Sequence, residues 1–452
     1  MPTVTPVEGK PNFLIGAYDV ADLGYGVHEF FVSGTAASYA GEGVKGEADY
    51  TTRIVALTPN DSAKFNGTVI VEWLNVSGGI DAPAVWMMAH REIVRDGYAY
   101  VGVSAQKVGV DGGQTITGID MSLKTQNAER YSSLHHPGDA YAYDIFSQVG
   151  ALVKEASGDG VVGRLNPEHL VAVGESQSAM FLTTYINAVD RLAHVFDGFL
   201  VHSRFGVAAP LDGVSALESL QAGVPDPSPF RDDLRVPVMN VITETDLVGA
   251  VLAGYYRARQ PDNDRLRTWE IPGTAHADAY TVRVAFVDSG SLPIDELAAG
   301  YAPTSELMGQ ELGYYINFAP QHHYVLQAAL AGLTNWVRAG TPPPSVPRLQ
   351  IGDGDPPPLI EDDNGIAKGG VRTPWVDVPI ARTSGIAHTD NILAHLFGSA
   401  EVFDDATRKR LYPNGKSEYI ARFTDALDAA IRAGYLLRAD RSEIVELAAA
   451  TY

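Results

Sequence analysis

The chain contains no cysteine. Disulfide bonds, thiolate metal sites and cysteine nucleophiles are therefore excluded. Basic residues are scarce, with 33 Lys and Arg against 55 Asp and Glu, a formal net charge of -22. Nucleic acids and anionic membranes are held by clustered cations. Neither is an expected partner, and a neutral substrate suits this surface better than an anionic one. No apolar run is long enough to cross a bilayer. The opening residues, Met1-Pro-Thr-Val-Thr-Pro6, have no basic flank and no apolar segment. No secretory signal is visible, and a cytoplasmic location is expected. There is no internal repeat.

What is present suits a large core: 452 residues, 45% of them hydrophobic. Residues 1–60 read as β structure, with strand-like runs at 27–32 and 50–57. Apolar runs then recur at 69–74, 98–103, 170–173, 196–201, 236–242 and 266–271. Helical patterns at 85–97, 141–154, 179–189 and 248–257 separate most of them. Alternating strands and helices predict an α/β fold with a mostly parallel central sheet flanked by helices. Asp81 is placed to cap the first helix, and Gly97 to stop it. An amphipathic helix is expected at 324–337, and two more close the chain, capped by Ser417 and by Asp440-x-x-Glu443. One catalytic domain, 1–452, is the expected organisation. Within it 203–235 reads as a lid insertion with a short helical piece at 215–221, and 281–320 is a candidate extension of that lid. Residues 341–452 read as a C-terminal extension that wraps the core.

The chain is organised around Gly174-Glu-Ser176-Gln-Ser178, set between an apolar strand and a helix-forming run. A serine on a sharp strand-to-helix turn needs small residues two before and two after it, because strand and helix nearly touch there. Gly174 and Ser178 meet that demand. Asp246 and His276 each follow a later strand, so the order is Ser176, Asp246, His276 with all three at one sheet edge. Serine is a weak nucleophile, and a histidine can take its proton and pass it on. A carboxylate holds the correct tautomer of that histidine. Glu244, two residues before Asp246, is a second candidate acid, although an acid several residues past its strand favours Asp246. Glu175, beside the serine, reads as structural and turned away from Oγ. An oxyanion is expected between the N–H of Gln177 and one from the loop 75–79, with Val76 and Ser77 as the candidates. His322 and His323 could line the site. Adjacent His135 and His136 suggest a metal, but no carboxylate stands at helical ligand spacing beside them. They read as a loop near the site mouth, and no metal or cofactor is expected.

Several stretches resemble a family of bacterial α/β-hydrolase domain proteins of the serine esterase and lipase type. They are Val71-Glu-Trp-Leu-Asn-Val-Ser-Gly-Gly79, Gly97-Tyr-Ala-Tyr-Val-Gly-Val-Ser-Ala-Gln106, Val173-Gly-Glu-Ser-Gln-Ser178, Trp269-Glu-Ile-Pro-Gly-Thr-Ala-His-Ala-Asp278, Gly369-Gly-Val-Arg-Thr-Pro374 and Leu396-Phe-Gly398. The likeness spans nearly the whole chain. It implies an α/β-hydrolase fold with Ser176 as nucleophile and His276 as the catalytic histidine. Glu-x-Asp after the seventh strand resembles polyester hydrolases and lipases, in which the second acid is catalytic, which implies Asp246. Ser178 departs from the usual glycine. The expected function is hydrolysis of a small, neutral, partly apolar ester or lactone through an acyl-enzyme on Ser176. Amide or peptide cleavage, and a non-catalytic scaffold that binds a small molecule, remain open, as do monomer and homodimer.

Overall fold

The computed structural model describes residues 2–41, 43–115, 118–155, 160–214, 225–250 and 252–452. Among the described residues, nine strands form one sheet in the order β1-β2-β3-β5-β4-β6-β7-β8-β9. They are β1 Thr3–Val7, β2 Tyr25–Ala40, β3 Gly43–Pro59, β4 Thr68–Trp73, β5 Ala99–Val103, β6 His169–Glu175, β7 Gly198–His202, β8 Val238–Thr243 and β9 Leu266–Ile271. β1 to β3 pair antiparallel and β3 joins β5 antiparallel. From β5 to β9 every pairing is parallel. A parallel strand covered by helices is buried on both faces and reads as a continuous apolar run, which is why β4, β7 and β8 were visible in the sequence. The hairpin of β2 and β3 is much longer than its apolar patches. Its far half is small and polar, so only the buried ends at 27–32 and 50–57 carried a signal.

Helices cover both faces. Ala84–Arg95 and Gln321–Ala339 lie on one side, where Trp86, Ile93, Tyr324, Leu330 and Leu333 pack onto Leu200, Met239 and Trp269. Ala142–Lys154 and Gln177–Thr184 lie on the other, where Trp73 meets Tyr143, Phe146 and Phe181 with ring centroids 4.9–5.7 Å apart. Burying each such side chain stabilises the fold by roughly 1.5–3 kcal/mol.

The closing helices of 341–452 pack on the first face, while Leu349 and Ala367 lie with Ile242 and Leu247, and Phe397 with Leu307 and Ile316. Trp269 Nε1 donates to the Pro344 carbonyl (2.9 Å), and Leu349 N–H to Glu270 Oε2 (2.7 Å). Phe423, Leu427, Ile444 and Leu447 join the same core cluster. The helix Arg441–Thr451 is bolted to Ala84–Arg95 through Arg91–Glu443 and Arg95–Asp440 pairs, both 2.7 Å. Asp440 and Glu443 are therefore engaged between helices and form no capping box. Ser417 is not a cap either, because its helix, Lys416–Ala433, starts from Gly415.

The expected helix at 248–257 is instead Glu244–Val248 followed by a 3-10 turn, Tyr255–Ala258. Thr243 and Asp246 cap the helix early, and Gly249, at φ 93°, stops it. Residues 281–320 are more ordered than their sequence suggests, with a helix Ile294–Gly300 and a short pairing of Glu306–Leu307 with Gln310–Glu311. The helical piece expected at 215–221 lies outside the described residues. Among the described residues no helix is long and apolar enough to cross a membrane.

Candidate active site

Ser176 sits where β6 turns into the helix Gln177–Thr184, at φ 55° and ψ -116°. A non-glycine residue there stores roughly 1–3 kcal/mol of strain that its surroundings must offset. Three hydrogen bonds do so. Ser176 N–H donates to the His202 carbonyl at 3.0 Å. The Ser178 hydroxyl accepts from Glu175 N–H (3.0 Å) and donates to the Glu175 carbonyl (2.8 Å). A Cβ on Gly174 would lie 3.1 Å from the Ser178 carbonyl oxygen, so the strand and helix backbones do touch. Ser178 keeps the small size that the crossing needs and adds a clasp that glycine could not supply.

His276 lies in the loop after β9, buried, with its ring stacked on Phe205 at 5.4 Å and 27°. Its N–H donates to Thr245 Oγ1 (3.2 Å), and its Nδ1 is 2.6 Å from Asp246 Oδ1. An ionised carboxylate only accepts, so Nδ1 carries the hydrogen and a neutral ring presents its lone pair at Nε2. Asp246 is itself held. Its Oδ2 accepts from the N–H (2.9 Å) and the hydroxyl (2.7 Å) of Thr243, closing a capping box at the helix start. Burial opposes charge on the imidazole, but the Asp246 carboxylate, its hydrogen bond and Glu175 outweigh it, so His276 titrates above its ordinary value.

Glu244 is engaged elsewhere. It accepts from Gly273 N–H (2.5 Å), Gly385 N–H (2.8 Å) and the Ser384 hydroxyl (3.1 Å). Burial pushes its carboxyl up to about 7, against the pull of those donors. It pins residues 384–385 beside the β8 and β9 exits.

In the loop after β4, Ser77 N–H donates to Asn75 Oδ1 at 2.9 Å and is committed there. Val76 N–H has a long 3.5 Å contact to Gln177 Oε1. Gln177 opens its helix, and the first amide of a helix has no acceptor within that helix. Of the loop residues singled out, the Val76 N–H is therefore less firmly committed than that of Ser77.

The sequence model of an alpha/beta hydrolase domain family matches residues 2–446. The chain belongs to that family. No curated protein matches the hydrolase chain in sequence. Among solved structures it is similar to a lidless α/β serine hydrolase of Xanthomonas campestris, with 13% identity, 56% of this chain and 88% of the other covered, and a TM-score of 0.30. It is also similar to a fungal esterase structure from Rhizomucor miehei, with 12% identity, coverage of 69% and 85%, and a TM-score of 0.31. Likenesses this remote carry no argument about substrate. The family match and the order of the sheet carry the α/β-hydrolase fold.

Sequence reasoning missed three neighbours of the hydrolase's His276. Phe205, three residues past β7, stacks on the ring and had no local signal. His202 ends β7, with its Nε2 2.8 Å from Nε2 of buried His322. Glu175, expected to turn away from Oγ, has its Oε1 3.4 Å from His276 Nε2. Its place beside Ser176 was a signal available in the sequence. His323 stacks flat on Tyr280 at 3.9 Å and belongs to the core. His136 is buried with Nε2 2.8 Å from the Ala105 carbonyl oxygen. Among the described residues no group of His, Asp and Glu is arranged to hold a metal.

Proposed function

We propose that this hydrolase cleaves carboxylic esters through an acyl-enzyme on Ser176, with His276 as general base and Asp246 as its orienting carboxylate. The observation that carries the reading is the 2.6 Å contact of Asp246 with His276 Nδ1 on the rim where strained Ser176 also lies. Nε2 takes the proton of Ser176 Oγ as Oγ bonds to the substrate carbonyl carbon. The carbonyl π pair moves to oxygen, where the amides of Gln177 and Val76 are the candidate donors. The imidazolium then gives its proton to the departing alcohol oxygen as the C–O bond breaks. Water repeats the sequence on the acyl-enzyme and releases the acid. The acidic surface and the apolar content of the proposed lid, 203–235, favour a neutral, partly apolar ester or lactone. Ser176→Ala should abolish both turnover of a p-nitrophenyl ester and labelling by a fluorophosphonate probe. Undiminished turnover by that variant ends the proposal.

A further inference from the structure

The imidazole of His276 stands between two carboxylates. Asp246 takes the Nδ1 side at 2.6 Å, and Glu175 Oε1 lies 3.4 Å from Nε2. Glu175 is not there by the chance swing of a long side chain. Its Oε2 accepts a hydrogen bond from Asn75 Nδ2 at 3.0 Å, and the same amide donates to the Glu175 carbonyl, also at 3.0 Å. The other end of the Asn75 side chain accepts from the N–H and the hydroxyl of Ser77, at 2.9 and 2.7 Å. One buried asparagine thus links the second carboxylate to the loop after β4. Ser178 clasps the backbone of Glu175 as well.

Among the described residues the changeable counter-charge within ion-pair distance of this carboxylate is His276, and no lysine or arginine forms an ion pair with Glu175. The other titratable groups that act on it are Asp246 across the rim, His322 from the helix Gln321–Ala339, and Glu72 from β4. His202, its neighbour in register on β7, is held neutral by burial. When His276 is neutral, its Nε2 lone pair faces a carboxylate, which is unfavourable. When His276 holds the serine proton, the same contact becomes an ion pair. An interaction that improves only as the charged state forms raises kcat rather than substrate affinity.

We propose that Glu175 is a positioning residue that acts through His276, its carboxylate holding the imidazolium from the Nε2 side while Asp246 holds it from Nδ1. The inference deepens the serine-esterase reading and rests on it. Glu175 takes no proton from Ser176. The proton passes from Oγ to Nε2 and then to the leaving alcohol oxygen, and Glu175 supplies the compensating charge during the interval. Burial pushes its carboxyl up to about 7. Its ionisation near neutral pH therefore sets how basic His276 is.

The test is Glu175→Gln, which keeps the shape and an acceptor for Asn75. Its kcat should fall about 10- to 100-fold with KM within about twofold. The acid limb of kcat/KM should move down by about one pH unit, since a nearby opposite charge that raised the His276 pKa has gone. The His276 ring resonance, assigned by its loss in His276→Ala and followed by NMR against pH, should shift its midpoint in the same direction. Glu175→Asp should restore part of the limb position, because it restores the charge. An unmoved midpoint and limb in Glu175→Gln overturn the proposal even if the rate falls, since that outcome describes a packing role. Wild-type protein supplies a measurement independent of any variant: the His276 resonance should titrate with a midpoint above ~6.5, and a midpoint below that value overturns the proposal. The titration needs no turnover. Failure of the esterase reading, seen as undiminished activity in Ser176→Ala, is thus distinguishable from failure of this one.

Discussion

Two strand-to-helix junctions of this sheet use a buried acid in the same way and to different ends. After β4, the helix Ala84–Arg95 begins at Pro83, which offers no side-chain cap. Asp81, the expected cap, is instead paired with buried Arg53 at 2.7 Å. The helix amides are met by Glu72 from within the strand. Its Oε1 accepts from Val85 N–H (2.7 Å), and its Oε2 from Trp86 N–H (3.0 Å) and the Tyr100 hydroxyl (2.7 Å). Both oxygens are occupied, and burial pushes the carboxyl up to about 8. After β8, Asp246 closes the cap with Oδ2 alone and keeps Oδ1 for His276. A carboxylate has two oxygens. Where the cap needs both, the acid is structural. Where Thr243 lets one suffice, the other can orient an imidazole.

Substitutions at either junction test this difference. The largest effect belongs to Asp246→Asn. Its amide can still accept the Thr243 donors, so stability should fall by only about 1 kcal/mol, while kcat falls about 10⁴-fold because the tautomer is no longer enforced. Ester turnover and urea unfolding on one preparation separate the two. The wild-type pH profile reads the same contact. His276 must be neutral to accept a proton and its pKa is raised, so kcat/KM should fall on acidification with a half-point above ~6.5. A half-point below that value contradicts the two-carboxylate setting. At the other junction, Glu72→Ala strands two helix amides and the Tyr100 hydroxyl. It should cost about 2–4 kcal/mol of unfolding free energy and leave kcat of the folded fraction within about twofold. Thr243→Val is the smallest change. It removes one cap hydroxyl, should cost about 1 kcal/mol, and should lower kcat a few-fold as Asp246 loosens. Equal losses of activity from Glu72→Ala and Thr243→Val would show that the two junctions do not differ in the way described.

Much of the sheet could be read from the chain because each parallel strand is a short apolar run between turn residues. Strands whose outer halves are built from small and polar residues were underestimated, as in β2 and β3. Helix caps were read least well. Asp81, Ser417 and Asp440 each have the right chemistry at the right spacing. Arg53 and Arg95 claim two of them, and the Ser417 hydroxyl donates back to the Asn414 carbonyl. A cap is decided by the partners that tertiary packing brings to the side chain, and spacing along one element does not show that Arg53 meets Asp81 or that Arg95 meets Asp440.

Local rules carried as far as the turn at Ser176, the small residues on either side of it, and the order of serine, acid and histidine, because backbone strain and strand periodicity act over a few residues. Among the carboxylates they favoured Asp246 over Glu244 only by its distance past the strand, and they read Glu175 as structural. Glu244 and Asp246 are nearly equivalent along the chain, yet one faces Gly273 and Gly385 and the other His276. Glu175 looked inert until the β9 exit brought an imidazole to it. Those assignments depend on contacts between residues 29 to 141 positions apart, and only the stacking order and register of the strands bring such residues together.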